Sequence, residues 1–221
     1  AYYSFIMKNA SSKEIYRVPL VYKLNDQVDL SNIVVKAGDN TFVSKITNYQ
    51  VSSIDTSSEG RKVIEISLNV NNKVIKDEIV IHVVNQAKLV SDNEVYKVYV
   101  DSSLEDGTLQ DSKLFFSSIQ NAHDFLMTSV ANTSKKEIVL QDNKVYEEKL
   151  NIEIPNLTLT GGTNTVIQKD YYASSVDEND TLVSTYGSSS VSIRSSATNF
   201  KASNITFKNS AFNTMTKYNA C

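Results

Sequence analysis

From Val98 onward the chain is built of apolar strands three to five residues long, and no two-residue hairpin turn separates them. They read "VYVD" (98–101), "EIVLQDN" (137–143), "LNIEIPNLTLTGGTNTVIQ" (150–168), "VSIRSS" (191–196) and "NITFKNSAF" (204–212). Strands this short cannot each bury two faces alone. Stacked coils can share one continuous core, which predicts a parallel β-helix from Val98 onward. Leu140 and Leu159, 19 positions apart, and Ile193 and Ile205, 12 apart, mark the spacing of the apolar positions.

A stack of coils leaves unpaired strand edges and apolar side chains at its first end, and these need a cover. In "KLFFSSIQNAHDFLMTSVAN" (113–132), Phe116, Ile119, Phe125, Leu126 and Val130 fall near helical spacing, and Ser117 or Ser118 can cap the helix. The spacing predicts an amphipathic helix in that covering position. The run from 200 to 221 still alternates apolar and polar residues, so the reading is of a solenoid truncated within its coils.

The first part of the chain has a different texture. "IYRVPLVYKL" (15–24), "NIVVKA" (32–37), "FVSKITNYQV" (42–51), "KVIEISLNV" (62–70) and "KDEIVIHVV" (76–84) are rich in Val, Ile and Tyr and are separated by Asn-, Asp- and Gly-bearing turns. Within 62–70, Ile64, Ile66, Leu68 and Val70 share one parity and Val63, Glu65, Ser67 and Asn69 the other, so one face is buried and one is wet. This predicts an antiparallel β-sandwich over 1–88. His82, inside an apolar strand, reads as a packing or edge residue and not as a ligand, and Asp55 and Glu59 as turn residues. The fold class is all-β, with two domains joined by the short bridge 87–97.

Charge and composition exclude several partners and cofactors. The net charge of −3 gives no long-range attraction to nucleic acid or to an anionic membrane. No window holds eighteen uninterrupted apolar residues, so membrane insertion is not expected. One cysteine, Cys221, and two histidines, His82 and His123, leave no disulfide framework and no zinc or histidine cluster. No cofactor and no metal are therefore expected. The acidic runs 104–111 and 177–180 lack the spacing of a calcium loop and read as solvated loops. A monomer is expected.

Two resemblances follow from these segments. "YKLNDQVDLSNIVVKAGD" (22–39) and "IDTSSEGRKVIEISLNVNNKVIKDEIVIHVV" (54–84) resemble the bacterial immunoglobulin-like domains, which act as spacers or binding modules. "FFSSIQNAHDFL" (115–126), "EIVLQDNKVYEEKLNI" (137–152) with Val145, Tyr146 and Glu148 in register, "NLTLTGGTNTVI" (156–167) and "TYGSSSVSIRSSATNFKASNITFKNSA" (185–211) are similar to segments of the pectinesterase family, the pectin methylesterases. That likeness covers 94–221 and implies a right-handed parallel β-helix with an N-terminal capping helix. The family's glycine before Tyr146 is replaced by Asn143 or Lys144, so the turn there must be made differently.

The resemblance implies an enzyme that hydrolyses methyl esters of polygalacturonate, with one Asp as nucleophile, a second as general acid and base, glutamines for the oxyanion and an Arg that orients the nucleophile. Asn219 stands where the first oxyanion glutamine is expected, and both aspartates and the arginine are expected beyond residue 221, leaving these residues inactive by themselves. Tyr171 and Tyr172 are candidates for stacking on sugar rings, which makes pectin or another plant or surface polysaccharide the expected partner. Secretion or cell-surface location is implied, with the signal peptide upstream. The alternatives are a non-catalytic adhesin or glycan-binding protein, and a pectate lyase-like enzyme that would need Ca²⁺. Asn204 and Asn209 read as residues that stack on neighbouring coils or cap turns.

Overall fold

The computed structural model describes residues 3–7, 21–28, 33–37, 41–45, 49–70, 72–90, 93–177 and 180–211. These residues are mostly β, with one α-helix among them. The chain divides into two compact units, residues 1–86 with 106–109, and 87–105 with 110–221.

The first unit holds β1 (Tyr3–Met7), β2 (Val21–Lys23), β3 (Ile33–Ala37), β4 (Thr41–Lys45), β5 (Tyr49–Val51), β6 (Gly60–Val70) and β7 (Lys73–Val84). One sheet has the order β1-β3-β4 and the other β2-β7-β6-β5. The single strand expected over 42–51 is thus two strands in different sheets. The pairing is not wholly antiparallel either, because β2 runs parallel to β7, with Val21 opposite His82. The parity of β6 places Ile64 and Ile66 in a core with Ile81 and Val83, against which Tyr22, Leu24, Val28, Val51 and Ile54 pack. Val63, on the opposite parity, is exposed. His82 is buried against Gly107, whose φ of 87° suits a glycine and whose lack of a Cβ leaves room for the His82 and Val21 side chains. Asp55 Oδ1 accepts from Ser57 N at 2.9 Å and holds its own turn, whereas Glu59 Oε1 accepts from Asn85 N at 2.9 Å, a bond to the residue just past β7.

The second unit contains β8 (Val95–Val100), β9 (Thr108–Gln110, at the boundary between the units), β10 (Lys113–Phe116), α1 (Ile119–Ser129), β11 (Lys135–Val139), β12 (Val145–Glu147), β13 (Leu150–Ile152), β14 (Leu157–Lys169), β15 (Val191–Ile193) and β16 (Lys201–Asn209). The order β10-β8-β11-β14-β16 is parallel throughout. Two further parallel ladders lie alongside: β12 against the second half of β14, and β13 against β15. β10 and β11 flank β8 on its two edges, β14 and β16 follow on the β11 side in the same direction, and the inward positions stack. Val98, Ile138 and Leu159 form one buried row and Tyr146 and Ile167 another.

The spacing of the coils differs from the sequence expectation. Thr163 and Asn164 lie 21 positions after their partners Asp142 and Asn143 on the coil below. Leu159 stacks on Ile138, not on Leu140, which lies just past the end of β11. Ile193 and Ile205 belong to different ladders, β13/β15 and β14/β16, so their interval is not a coil length. Residues 113–116, expected as the first turn of the helix, instead form β10. Leu114 and Phe116 alternate inward there, and the pairing of Phe115 and Phe116 with Tyr99 and Val100 prevails over local helical period. Between β9 and β10 a two-residue turn does occur, with Asp111 and Ser112 both left-handed at φ 49° and 61°.

Asparagines make the corners. Asn143, Asn164 and Asn204 have φ of 51°, 54° and 56°, and Asn156 and Asn199 have 57° and 59°. Asn tolerates the left-handed region because its short amide satisfies nearby groups. The amides also link coils: Asn164 Nδ2 donates to Asn143 Oδ1 at 3.0 Å, and Asn199 Nδ2 to Asn156 Oδ1 at 3.0 Å. Asn143 thus makes the turn for which the sequence lacks a glycine.

Candidate functional site

Two regions of the second unit bring distant polar residues together. The first is the N-terminus of α1. Ser118 caps it by accepting from Asn121 N at 3.1 Å, which settles the choice between the two serines. Two more of the helix's free N–H groups, those of Ile119 and Gln120, donate to Glu148 Oε2 and Oε1 at 3.0 and 3.1 Å. A carboxylate spanning two backbone N–H groups at a helix N-terminus is favoured by both hydrogen bonding and the helix dipole.

The same helix covers a strand edge. Gln120 Oε1 accepts from Asn151 N at 2.9 Å, and Gln120 Nε2 donates to Asn151 O at 3.2 Å and to Asp124 Oδ1 at 3.0 Å. The side-chain amide thus replaces the backbone amide of a neighbouring strand. His123, one helical turn on and fully buried, continues the ladder: its Nε2 accepts from Glu153 N at 3.0 Å, so Nδ1 carries the proton and donates to Asp124 Oδ1 at 2.9 Å. Phe125 packs on Phe116 with ring centroids 5.1 Å apart, seating the helix on the coil core.

The second region is an open groove of about 650 Å³ where β14 and β16 bend, lined by Asp142, Gly162, Thr163, Asn164, Asn204 and Thr206 among others. Glycines 161 and 162 allow the bend. A Cβ on Gly162 would overlap the Asp142 carboxylate, and one on Gly161 would overlap the Asn204 carbonyl oxygen. Asp142 Oδ1 accepts from Thr163 N at 2.9 Å, and Thr165 Oγ1 donates to Gln141 O at 2.8 Å. Hydroxyls, amides and one carboxylate on a shallow surface can hydrogen-bond a sugar chain. Behind the groove, Gln141 Nε2 donates to Asp101 Oδ2 at 3.1 Å. Hydrogen bonds from the Ser103 hydroxyl and N–H, followed in effect by the Lys144 charge and the Gln141 amide, hold the Asp101 carboxyl below the usual range despite partial burial.

Of the residues singled out from sequence, Tyr171 and Tyr172 do not line the groove. Asn219 lies outside the described residues. Tyr171 is only 9% exposed, with Lys169 Nζ 4.6 Å from its ring centroid, so the ring is a packing element. Tyr172 is half-buried and keeps some exposed surface. Asn209 anchors the segment between β14 and β15, donating to Tyr171 O at 3.1 Å and Ser188 O at 2.8 Å. Asp177 Oδ1 accepts from Thr181 N at 2.9 Å and closes its own loop. Among the described residues no group of three or more His, Cys, Asp or Glu is placed to hold a metal ion, and no helix is long and apolar enough to cross a membrane. The meeting of Gln120, Glu148 and Asn151 was missed from sequence, although Gln120 and Glu148 both fall in pectinesterase-like segments.

No known family's sequence profile matches the chain. No curated protein matches it either. Among solved structures, pectin methylesterase PemA from Erwinia chrysanthemi is similar with a TM-score of 0.40 and 28% identity, over 51% of this chain and 30% of that one.

Proposed function

We propose that residues 94–221 are the leading coils of a right-handed parallel β-helix of the pectinesterase type, preceded over residues 1–88 by an immunoglobulin-like sandwich, in a secreted or cell-surface protein that hydrolyses methyl esters of polygalacturonate. The observation that carries this reading is the contact between two separately recognised pectinesterase-like segments. Glu148 of "VYEE" reaches Gln120 N of "SSIQ", 28 positions earlier, and Gln120 in turn pairs with Asn151. The two motifs thereby acquire one physical purpose, the closure of a coil end.

On this reading the described coils position substrate and the reacting carboxylates lie outside the described residues. An Asp oxygen attacks the ester carbonyl, a second Asp protonates the departing methanol and then deprotonates the hydrolytic water, and Asn219 stands at the oxyanion side. The polar groove beside Asp142 and the exposed part of Tyr172 supply sugar contacts.

The test is methanol release from highly methylated polygalacturonate by the protein expressed from its complete gene. Release of methanol with acidification is the expected result. Tight binding of the polymer without methanol would replace this reading with that of a glycan-binding adhesin, and absence of both would overturn it.

A further inference from the structure

The first halves of β14 and β16 form one parallel sheet with β8, β10 and β11, and successive residues alternate between its two faces. Val98, Ile138 and Leu159 lie on the buried face. The residues between them point outward, and the register sets them in two rows that cross the strands. One row is Phe115, Tyr99, Val139, Thr160 and Ser203. The other is Lys97, Glu137, Thr158 and Lys201, with Lys113, two residues before Phe115, at its head. Lys135 extends the same face, two residues before Glu137.

The first row is aromatic at one end and hydroxylic at the other. The Tyr99 and Phe115 ring centroids are 5.5 Å apart, and Lys113 Nζ lies 5.1 Å from the Tyr99 centroid. Both rings are half-buried, so each rests on the sheet and keeps part of its surface outside. Thr160 and Ser203 bring hydroxyls to the far end.

The second row is cationic. Glu137 is the one acidic residue at these outward positions, and it is already engaged: its Oε2 is 3.2 Å from Lys97 Nζ, and its Oε1 accepts from Thr160 Oγ1 at 2.9 Å. Lys113, Lys135 and Lys201 are exposed and have no ion-pair partner among the described residues. Four lysines thus face solvent with one glutamate, on a chain whose net charge is −3. Positive charge is gathered here against the trend of the molecule, and it complements a polyanion.

The spacing selects the kind of polyanion. Neighbouring strands lie about 4.8 Å apart, so Lys113 and Lys201, four strand steps apart, are separated by about 19 Å. A single carboxylate or phosphate cannot reach both, whereas an extended polymer can. The aromatic pair offers an apolar floor to the C–H faces of sugar rings, and the hydroxyls offer hydrogen bonds. We propose that this face binds a linear polyuronate with free carboxylates, laid across the strands with its rings over Tyr99 and Phe115 and its carboxylates directed at Lys113 and Lys201. None of these residues lines the groove beside Asp142. The choice of a uronate rests on the function proposed above, because hydrolysis of the methyl ester exposes the carboxylates that this face attracts. The face then retains the de-esterified stretch of the polymer while ester chemistry proceeds elsewhere.

The experiment titrates the full chain with polygalacturonate, with its highly methylated form and with a short single-stranded DNA, by calorimetry at two salt concentrations. The expected result is binding of polygalacturonate that weakens as salt is added, with weaker binding of the other two polymers. Lys113→Gln combined with Lys201→Gln should weaken polygalacturonate binding about tenfold, the scale of two exposed charge contacts. Lys208→Gln removes an exposed charge farther along β16 and should bind as the parent does. Equal binding of the methylated polymer, DNA bound as tightly, or a double variant that binds like the parent would overturn the proposal. Methanol release tests the catalytic reading separately. Binding through Lys113 and Lys201 without methanol upholds this face and overturns that reading, and methanol release without charge-dependent binding does the reverse.

Discussion

Replacing Gln120 with leucine tests the capped end most directly. The wild-type amide satisfies both backbone groups of Asn151 and one oxygen of Asp124. Leucine fits the helix and fills similar volume, but it leaves the Asn151 N–H and C=O facing an apolar side chain. An unsatisfied buried polar group costs about 1–3 kcal/mol. Asn151 is half-buried, so the low end applies to each group, giving a loss of about 2–3 kcal/mol. For a unit of this size each kcal/mol moves the melting temperature by about 3–5 °C, so a fall of roughly 6–15 °C is expected. Gln120→Glu should destabilise at least as much, because its carboxylate still accepts from Asn151 N but faces Asn151 O and Asp124. Calorimetry gives the melting temperature, and hydrogen exchange at the Asn151 amide gives the local effect, expected as faster exchange in both variants. An unchanged melting temperature together with unchanged protection of Asn151 would refute the idea that a side chain stands in for a strand.

Gly161→Ala should cost about 1–3 kcal/mol in urea denaturation, because the added methyl meets the backbone carbonyl of Asn204, which cannot swing aside as a side chain can; an unchanged midpoint would refute the close approach. Burial of the Tyr146 phenol, helped by the charges of Glu148 and Asp101 and opposed by the hydrogen bond from Gln141 N, raises its pKa above 10.0. Its contribution to stability is therefore full below pH 10 and declines as pH rises above that value, when the unfolded chain ionises first. Thermal melts across this range should fall less steeply for Tyr146→Phe than for the parent protein, and parallel curves would refute the assignment.

The sequence made the stacking legible because it follows from what each strand lacks. Short apolar runs with no hairpin partner leave a parallel neighbour as the way to complete the ladder, and β11, β14 and β16 pair in that manner. The coil length was obscured by the segment between β14 and β15, which separates Lys149 from Ser192 by 43 positions where Asn143 and Asn164 differ by 21. The corner at Asn143 read as a departure from a glycine pattern, although an asparagine can adopt the same backbone angle and also bond to the coil above. Tyr171 looked like a ligand-stacking ring because aromatic character is visible in sequence and burial is not; its environment depends on Lys169 and Asn209, supplied by different strands. The role of Gln120 was hidden for a similar reason. Its partner Asn151 is 31 positions away, and a glutamine near a helix start has no periodic signature of ladder pairing.

A side chain that imitates a strand also leaves that edge of the stack with no backbone group on offer to another strand. The amide of Gln120 and the imidazole of His123 occupy backbone groups of β13 and of Glu153 just beyond it, while β15 takes the other edge of β13. That strand is therefore satisfied on one side by side chains and on the other by backbone.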